Sequence, residues 1–241
     1  RAAGRLTARA RALAGSMIRP GVTTGEIDRE VHKFIRGHGA KPSFLGYGGF
    51  PGSICASVNE VVIHGIPGSR RLEEGDIVSI DVGAYLHGFH GDCAATFPCG
   101  KVSAEARQLM EVTRESFWKG IAQAKAGNRV RDIGHAVQQY VESFGYGVVR
   151  DFVGHGVGRQ MHEPPEVPNY GPGGHGPRLM PGMVIALEPM VCAGDWRVKV
   201  LEDNWTTVSV DGSLTAHYEN TILITEGEPE ILTDPGEGYE L

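Results

Sequence analysis

The sequence predicts an α+β protein built of two pseudo-symmetric halves, with mixed antiparallel β-sheet inside and helices outside. Three observations carry this. Helical and strand-like hydrophobic periods occur in one chain, the helix-then-strand pattern recurs once, and an acidic residue ends an apolar run at the same place in each copy. At 241 residues and 41% hydrophobic side chains, the chain can bury a full core without staples. It reads as a single domain, 1–241, with halves at about 1–125 and 126–241.

The first helical pattern places Leu6, Ala10, Leu13 and Met17 on one face. The second runs from about Thr23 to His38: Thr23 and Glu26 make a capping box, Ile27, Val31, Phe34 and Ile35 form the apolar face, and Gly39 ends it. A third helix starts near Ser103 and a fourth covers about Arg131–Phe144. Between them lie the strand-like runs "DIVSIDVGAYL", "MVIALEPMV" and "TILIT", with a hairpin signal, "VDGS", at Val210–Ser213. The second and fourth helices align at a separation of 106 residues, with Gly21 on Gly127, Glu26 on Asp132, Ile27 on Ile133, Val31 on Val137 and Gly39 on Gly145. At 107, "LEEGDIVSID" (72–81) meets "LMPGMVIALE" (179–188), which puts Gly75 on Gly182 and Asp81 on Glu188. Two halves that each deliver a carboxylate from the same strand predict a site between them.

Composition narrows the function. The formal charge is −6, with acids and bases intermixed and no basic stripe, so nucleic-acid recognition is disfavoured and a small or peptide substrate is expected. Cys55, Cys93, Cys99 and Cys192 form neither a CxxC pair nor a disulfide framework and read as reduced thiols of a cytoplasmic protein. No signal peptide is visible, and the longest apolar stretch, around Met183–Ala193, is too short to cross a bilayer and is interrupted by Glu188. The chain opens at Arg1 rather than Met, which suggests a trimmed start.

The chemistry is concentrated in acids at the ends of apolar strands. In "SIDVGAYLHGFHGDCAATF", Asp81 and Asp92 flank a hairpin whose two-residue loop falls near Leu86–Gly88. A loop at Leu86–His87 sets them directly opposite, and a loop one position later makes them diagonal neighbours on one face. Either register leaves them roughly 5–8 Å apart at Cβ. Like charges that close are destabilising unless a proton or metal intervenes. A lone pair of aspartates could equally face solvent. Asp81, however, follows Ile77, Val78 and Ile80, Glu188 sits in "VIALEPM", and Glu219 precedes another apolar strand, so unpaired charge there would be costly.

"FVGHGVGRQMHE" (152–163) adds His155 to these four acids. Four carboxylates and one imidazole suit two divalent first-row metals, and a water between two such cations would yield a hydroxide at neutral pH. That is a hydrolase constellation. His64, in "VVIHGIP", and His162 fit supporting roles at a substrate carbonyl and amide nitrogen. The glycines of this stretch, Gly154, Gly156 and Gly158, suggest positions with φ > 0 and close approach of substrate backbone.

At this point the sequence resembles the type I methionine aminopeptidases of the pita-bread metallopeptidase superfamily, over nearly the whole chain. The carriers are "ICASVNEVVIHGIP", "IDVGAYLHGFHGDCAATF", "GHGVGRQMHEPPEVPNYG", "PGMVIALEPM" and "AHYENTILIT". The resemblance implies a pita-bread fold and removal of N-terminal methionine from peptides and nascent proteins whose second residue is small. It implies Asp81 as ligand of one metal, His155 and Glu188 as ligands of the other, and Asp92 and Glu219 bridging both. A hydroxide bridging the metals would attack the first peptide carbonyl, with Glu188 handling the proton, His162 bonding the carbonyl oxygen and His64 the scissile amide nitrogen. Tyr47, Phe50, Cys55, Met161 and Trp205 match the methionine pocket, with Phe50 where tyrosine is common and Met161 where an aromatic is common.

The metals are expected to be Co, Mn, Fe or Zn, all of which such ligands suit. An X-Pro aminopeptidase or dipeptidase would share the five ligands, but "EPM" at Glu188–Met190 and "YEN" at Tyr218–Asn220 favour the methionine enzymes. The type II class would need an insertion that Glu188 to Glu219 has no room for. A metal-free binding protein or creatinase-like enzyme on the same fold would lack several of the ligands. By the same resemblance the chain is expected to be a monomer. With no zinc-finger extension in this sequence, any docking to a ribosome must use the catalytic domain's own surface.

Overall fold

The computed structural model describes residues 1–236. In chain order the elements are α1 (Ala2–Met17), α2 (Thr24–Gly37), β1 (Lys41–Pro42), a 3-10 turn at Tyr47–Gly49, β2 (Ile54–Val58), β3 (Val61–Ile63), β4 (Ile77–Leu86) and β5 (Phe89–Pro98). The same opening, two helices and a short strand, recurs as α3 (Ala104–Ile121), α4 (Val130–Glu142) and β6 (Gly147–Val148). There follow β7 (Gly154–Gly156), β8 (Glu163–Val167), β9 (Val184–Leu187), β10 (Met190–Cys192), β11 (Val198–Val200) and β12 (Thr207–Ser209). The last three strands are β13 (Thr215–His217), β14 (Asn220–Leu223) and β15 (Glu230–Ile231).

The repeat read from the sequence is a repeat of packing. α2 buries Ile27, Val31 and Ile35 at the spacing of one helix face, and α4 buries Ile133, Val137 and Val141, each 106 residues later. Strand pairing repeats too: Lys41 lies opposite Tyr85 in the β1–β4 ladder, and Gly147 opposite Cys192 in the β6–β10 ladder. α1 departs from expectation. Its buried face is Ala3, Leu6, Thr7, Ala10, Arg11 and Ala14, while Leu13 and Met17 are only half-buried. The helix lies so close to β5 that a Cβ on Gly91 would stand 2.7 Å from the Gly4 Cα, so small residues win that face.

β4 and β5 form a long unbroken hairpin closed by His87 and Gly88, at φ of 52° and 88°, the conformation a two-residue turn requires. Asp81 pairs with Ala94 and Gly83 with Asp92, so of the two registers the sequence allowed, the diagonal one is formed. In the second half the matching hairpin is interrupted: β9 pairs with β14 and β10 with β13, leaving Glu188 and Pro189 opposite Tyr218 and Glu219. "VDGS" does turn the chain, but the strands on either side do not pair with each other. β12 joins β11 and β3, whereas β13 joins β10.

The halves are joined at β5. Ala94 N–H donates to the Glu219 carbonyl at 3.2 Å and Glu219 N–H to the Ala94 carbonyl at 2.9 Å. Thr221 Oγ1 accepts from Asp92 N–H at 3.1 Å and lies 2.8 Å from the Asp92 carbonyl. The fully buried Arg11 reaches the same seam, its Nη1 donating to the carbonyls of Ala94 (3.1 Å) and Glu219 (2.9 Å). The four cysteines are buried and unpaired, and among the described residues no helix is long and apolar enough to cross a membrane.

Candidate metal centre

The acids and histidines picked out as site residues line one cavity of about 440 Å³: Asp81, Asp92, His155, Glu188 and Glu219, with His64 and His162. Tyr47, Phe50, Cys55, Met161 and Trp205 line it as well. Asp81 and Asp92 come from the β4–β5 hairpin, His155 from β7, and Glu188 and Glu219 from the break in the second hairpin. Registered and alternate positions on a sheet share a face, so Asp81, Asp92 and Ala94 point the same way.

The spacing of these groups discriminates between hydrogen bonding and shared coordination. His155 Nε2 lies 3.5 Å from Asp92 Oδ2 and 3.6 Å from Glu188 Oε1. Both contacts are too long for charge-assisted hydrogen bonds, which run at about 2.7–2.9 Å. Two ligands each about 2.1 Å from one ion stand roughly 3.4–3.6 Å apart at tetrahedral to trigonal angles. Asp92, His155 and Glu219 each place a ligand atom within 4.8 Å of the others, as do Asp81, His217 and Glu219. Asp81 Oδ1, Asp92 Oδ1 and Glu219 Oε1 are buried without hydrogen-bond partners, a costly state that cations would relieve. The donor set therefore fits divalent metals.

The electrostatics say the same. Burial, then the neighbouring acids, push the Asp81 and Glu219 carboxyls well above the usual carboxylate range. Burial raises Glu188 to about 8 against the opposing pull of His155. For His155, burial acts downward but is outweighed by Asp92 and Glu188, which carry it up to about 9. His64 is lowered to about 4 by burial and then by His162, and His162 is lowered by burial and then by His155. Near neutral pH the cluster holds protons where cations would displace them, while His64 and His162 are uncharged.

β7 also settles what the glycines do. None of Gly154, Gly156 and Gly158 has a positive φ, contrary to the sequence expectation. A Cβ on Gly154 would stand 2.3 Å from the Ala186 carbonyl oxygen, and one on Gly156 2.3 Å from that of Pro164. They are needed because β7 is pressed between β8 and β9, so the close approach is by the protein's own backbone. The loop between β7 and β8 brings the His162 ring to 4.2 Å from that of His155. At the mouth of the cavity, the Tyr47 hydroxyl lies 2.7 Å from His162 Nδ1. His64 holds φ at 58°, a left-handed conformation uncommon outside glycine and a frequent mark of a functional wall.

Phe44, Phe50, Cys55 and Met161 form one buried apolar cluster with Ile66 and Trp205 packed on it, the Trp205 and Phe50 rings meeting edge-on at 5.1 Å. Phe44, Ile63, Asp151, Phe152 and Val153 also line the cavity, although nothing in the sequence separated them from ordinary core and loop. His217, in "AHYEN" two residues before Glu219, has the sequence signature of an ordinary strand residue.

The chain belongs to metallopeptidase family M24, whose model matches residues 1–226. Its relatives include the methionine aminopeptidase of Clostridium acetobutylicum, 56% identical over 97% of this chain and 94% of that protein. The solved methionine aminopeptidase of Thermotoga maritima superposes with a TM-score of 0.95 at 48% identity, covering 96% of this chain and 94% of that one. A prolidase from Pyrococcus horikoshii matches at a TM-score of 0.79 and 25% identity, over 99% of this chain but 62% of its own. The expected pita-bread fold is borne out by these likenesses.

Proposed function

We propose that this chain is a methionine aminopeptidase, removing the N-terminal methionine of peptides and nascent chains whose second residue is small, with two divalent metal ions held between its halves. The observation that carries the reading is the ligand spacing at His155, 3.5 and 3.6 Å to Asp92 and Glu188, directly beside a sulfur- and aromatic-lined pocket. Asp81 would serve one ion, His155 and Glu188 the other, with Asp92 and Glu219 shared. Such ions, when bound, act as Lewis acids and acidify a water at neutral pH. Co, Mn, Fe and Zn all suit this donor set.

The chain's own groups do the rest. Glu188, whose carboxylate stands 3.6 Å from His155 at the edge of the cavity, would accept the proton from the attacking water and return it to the leaving amine. The 2.7 Å contact between the Tyr47 hydroxyl and His162 Nδ1 orients the ring. In the tautomer protonated at Nε2, where the Tyr47 O–H donates to Nδ1, that proton hydrogen-bonds the substrate carbonyl oxygen as negative charge develops. His64, neutral and fixed against Trp205 and Phe152, contacts the scissile amide nitrogen. Phe50, Cys55, Met161 and Trp205, with Phe44 beneath, receive the thioether, since sulfur and aromatic edges attract.

The test is release of the N-terminal residue from Met-Ala-Ser and from Ala-Pro-Ser, with metal-free protein and with added Mn²⁺ or Co²⁺. Metal-dependent cleavage of the methionyl peptide alone is expected. Cleavage of the prolyl peptide alone would move the activity to that of the X-Pro enzymes, and silence on both would overturn a peptidase reading.

A further inference from the structure

We infer that His217 is a sixth protein ligand, its Nε2 holding the cation on the Asp81 side, so that each of the two ions has one imidazole. The inference rests on the two-metal reading above and adds a residue to it. His217 is 2% exposed, and its Nε2 has no hydrogen-bond partner. Leaving a buried polar atom in that state is costly unless something outside the protein binds it.

Where that atom points identifies what would bind it. Nε2 is 3.6 Å from Glu219 Oε2, the same separation found between His155 and Glu188 on the other side. That is beyond a good hydrogen bond and within the span of two ligands on one ion. Asp81 supplies the third atom of the group, and Asp81 Oδ1 and Glu219 Oε1 are themselves unpartnered. The ring stands on a held backbone: His217 N–H donates to Thr96 Oγ1 at 2.9 Å, and His217 pairs with Met190 across β13 and β10. No rearrangement is needed to present it.

The arrangement also completes the symmetry of the site. Asp92, His155 and Glu219 make one three-residue group and Asp81, His217 and Glu219 the other. A nitrogen donor in place of oxygen shifts preference away from Mn²⁺ toward Co²⁺ and Zn²⁺.

The test is a Co²⁺ titration of the metal-free protein, read by contact-shifted exchangeable imidazole N–H signals in the proton NMR spectrum and by calorimetry. Wild-type protein with two equivalents is expected to show two such signals. His217→Gln should lose one and bind its second Co²⁺ on the order of 10–100-fold more weakly, while His155→Gln should lose the other. A wild-type spectrum with one signal, lost in His155→Gln and kept in His217→Gln, would overturn the ligand role of His217 and leave the two-metal reading standing. Failure of wild-type protein to bind Co²⁺ would overturn both. The wild-type signal count decides the question even if a variant does not fold.

Discussion

The two halves deliver their carboxylates from equivalent hairpins built in different ways. In the first, β4 and β5 pair without interruption from Ile77 to Pro98, and the acids are aspartates at diagonal positions. In the second, the ladder stops between Leu187 and Met190 on one strand and between His217 and Asn220 on the other, and the acids are glutamates in the gap. Pro189, which has no N–H to give a ladder, stands in that gap. Glu219, released from its own hairpin, turns both backbone groups to Ala94 of the other half. The break thus makes the seam between halves.

Removing one shared acid from each hairpin tests whether the halves contribute equally. Asp92→Asn and Glu219→Gln should each weaken metal binding and turnover by more than about 100-fold, since even outer partners of metal ligands are worth about 10–100-fold. Folding should be retained, as both replacements keep shape and lower an already excessive negative charge. Wild-type metal content in either variant, measured by atomic absorption after gel filtration, would remove that hairpin from the site.

The next effect belongs to the loop that returns from β7. His162→Ala should lower kcat by about 10²–10³-fold, the usual cost of losing one preorganised donor. Tyr47→Phe, which keeps the ring but loses the 2.7 Å contact to His162 Nδ1, should lower it about tenfold or less. Equal losses in steady-state kinetics would mean that Tyr47 touches substrate directly.

Proton uptake sharpens the comparison further, because Glu188 and His155 both belong to the second half. Glu188 is raised to about 8 from 4.5, so in metal-free protein its stabilising contribution is complete below pH 4.5 and lost as pH rises through 8. His155, raised to about 9 from 6.5, contributes below pH 6.5 and is lost as pH rises through 9. Metal-free protein should therefore lose stability between about pH 4.5 and 9, whereas bound cations replace the protons and flatten the curve. The gap in Tm between Mn²⁺-loaded and chelator-treated protein should widen across that range in scanning calorimetry. A constant gap would show that these groups do not take up protons when the metals leave.

What was legible in the sequence follows the same physics. Asp81, Glu188 and Glu219 stood out because acids in apolar runs demand a reason, and the repeat tied two of them together. Phe44, Ile63 and Phe152 did not, because an apolar side chain facing a cavity has the same sequence signature as one facing the core. Arg11 was invisible for the opposite reason: a charged residue on a helix reads as solvent face, yet here it is fully buried against the carbonyls of Ala94 and Glu219. The glycines of β7 were recognised as necessary but given the wrong cause, since crowding by β8 and β9 is a property of the sheet that no single stretch encodes.

The smallest expected effect lies far from the chemistry, at the helix starts the repeat first revealed. α2 is capped from both directions: Glu26 N–H donates to Thr23 Oγ1 at 3.2 Å, and Glu26 Oε2 accepts from Thr23 N–H at 2.7 Å. α4 has the second bond only, Asp132 Oδ2 accepting from Arg129 N–H at 2.7 Å, because arginine has no acceptor to offer. Arg129 already has the extended backbone of a cap, at φ −108° and ψ 153°. Arg129→Thr should therefore restore the missing half of the box, worth up to about 1 kcal/mol. The exposed bond from Arg129 Nη1 to the Gly176 carbonyl, 2.7 Å, is lost in exchange and removes part of that gain. The net rise in Tm should be no more than about 2–4 °C, and the reciprocal Thr23→Arg should lower it by a similar amount. A fall in Tm for Arg129→Thr would show that the arginine's bond to Gly176, rather than its missing cap, decides the stability of this helix start.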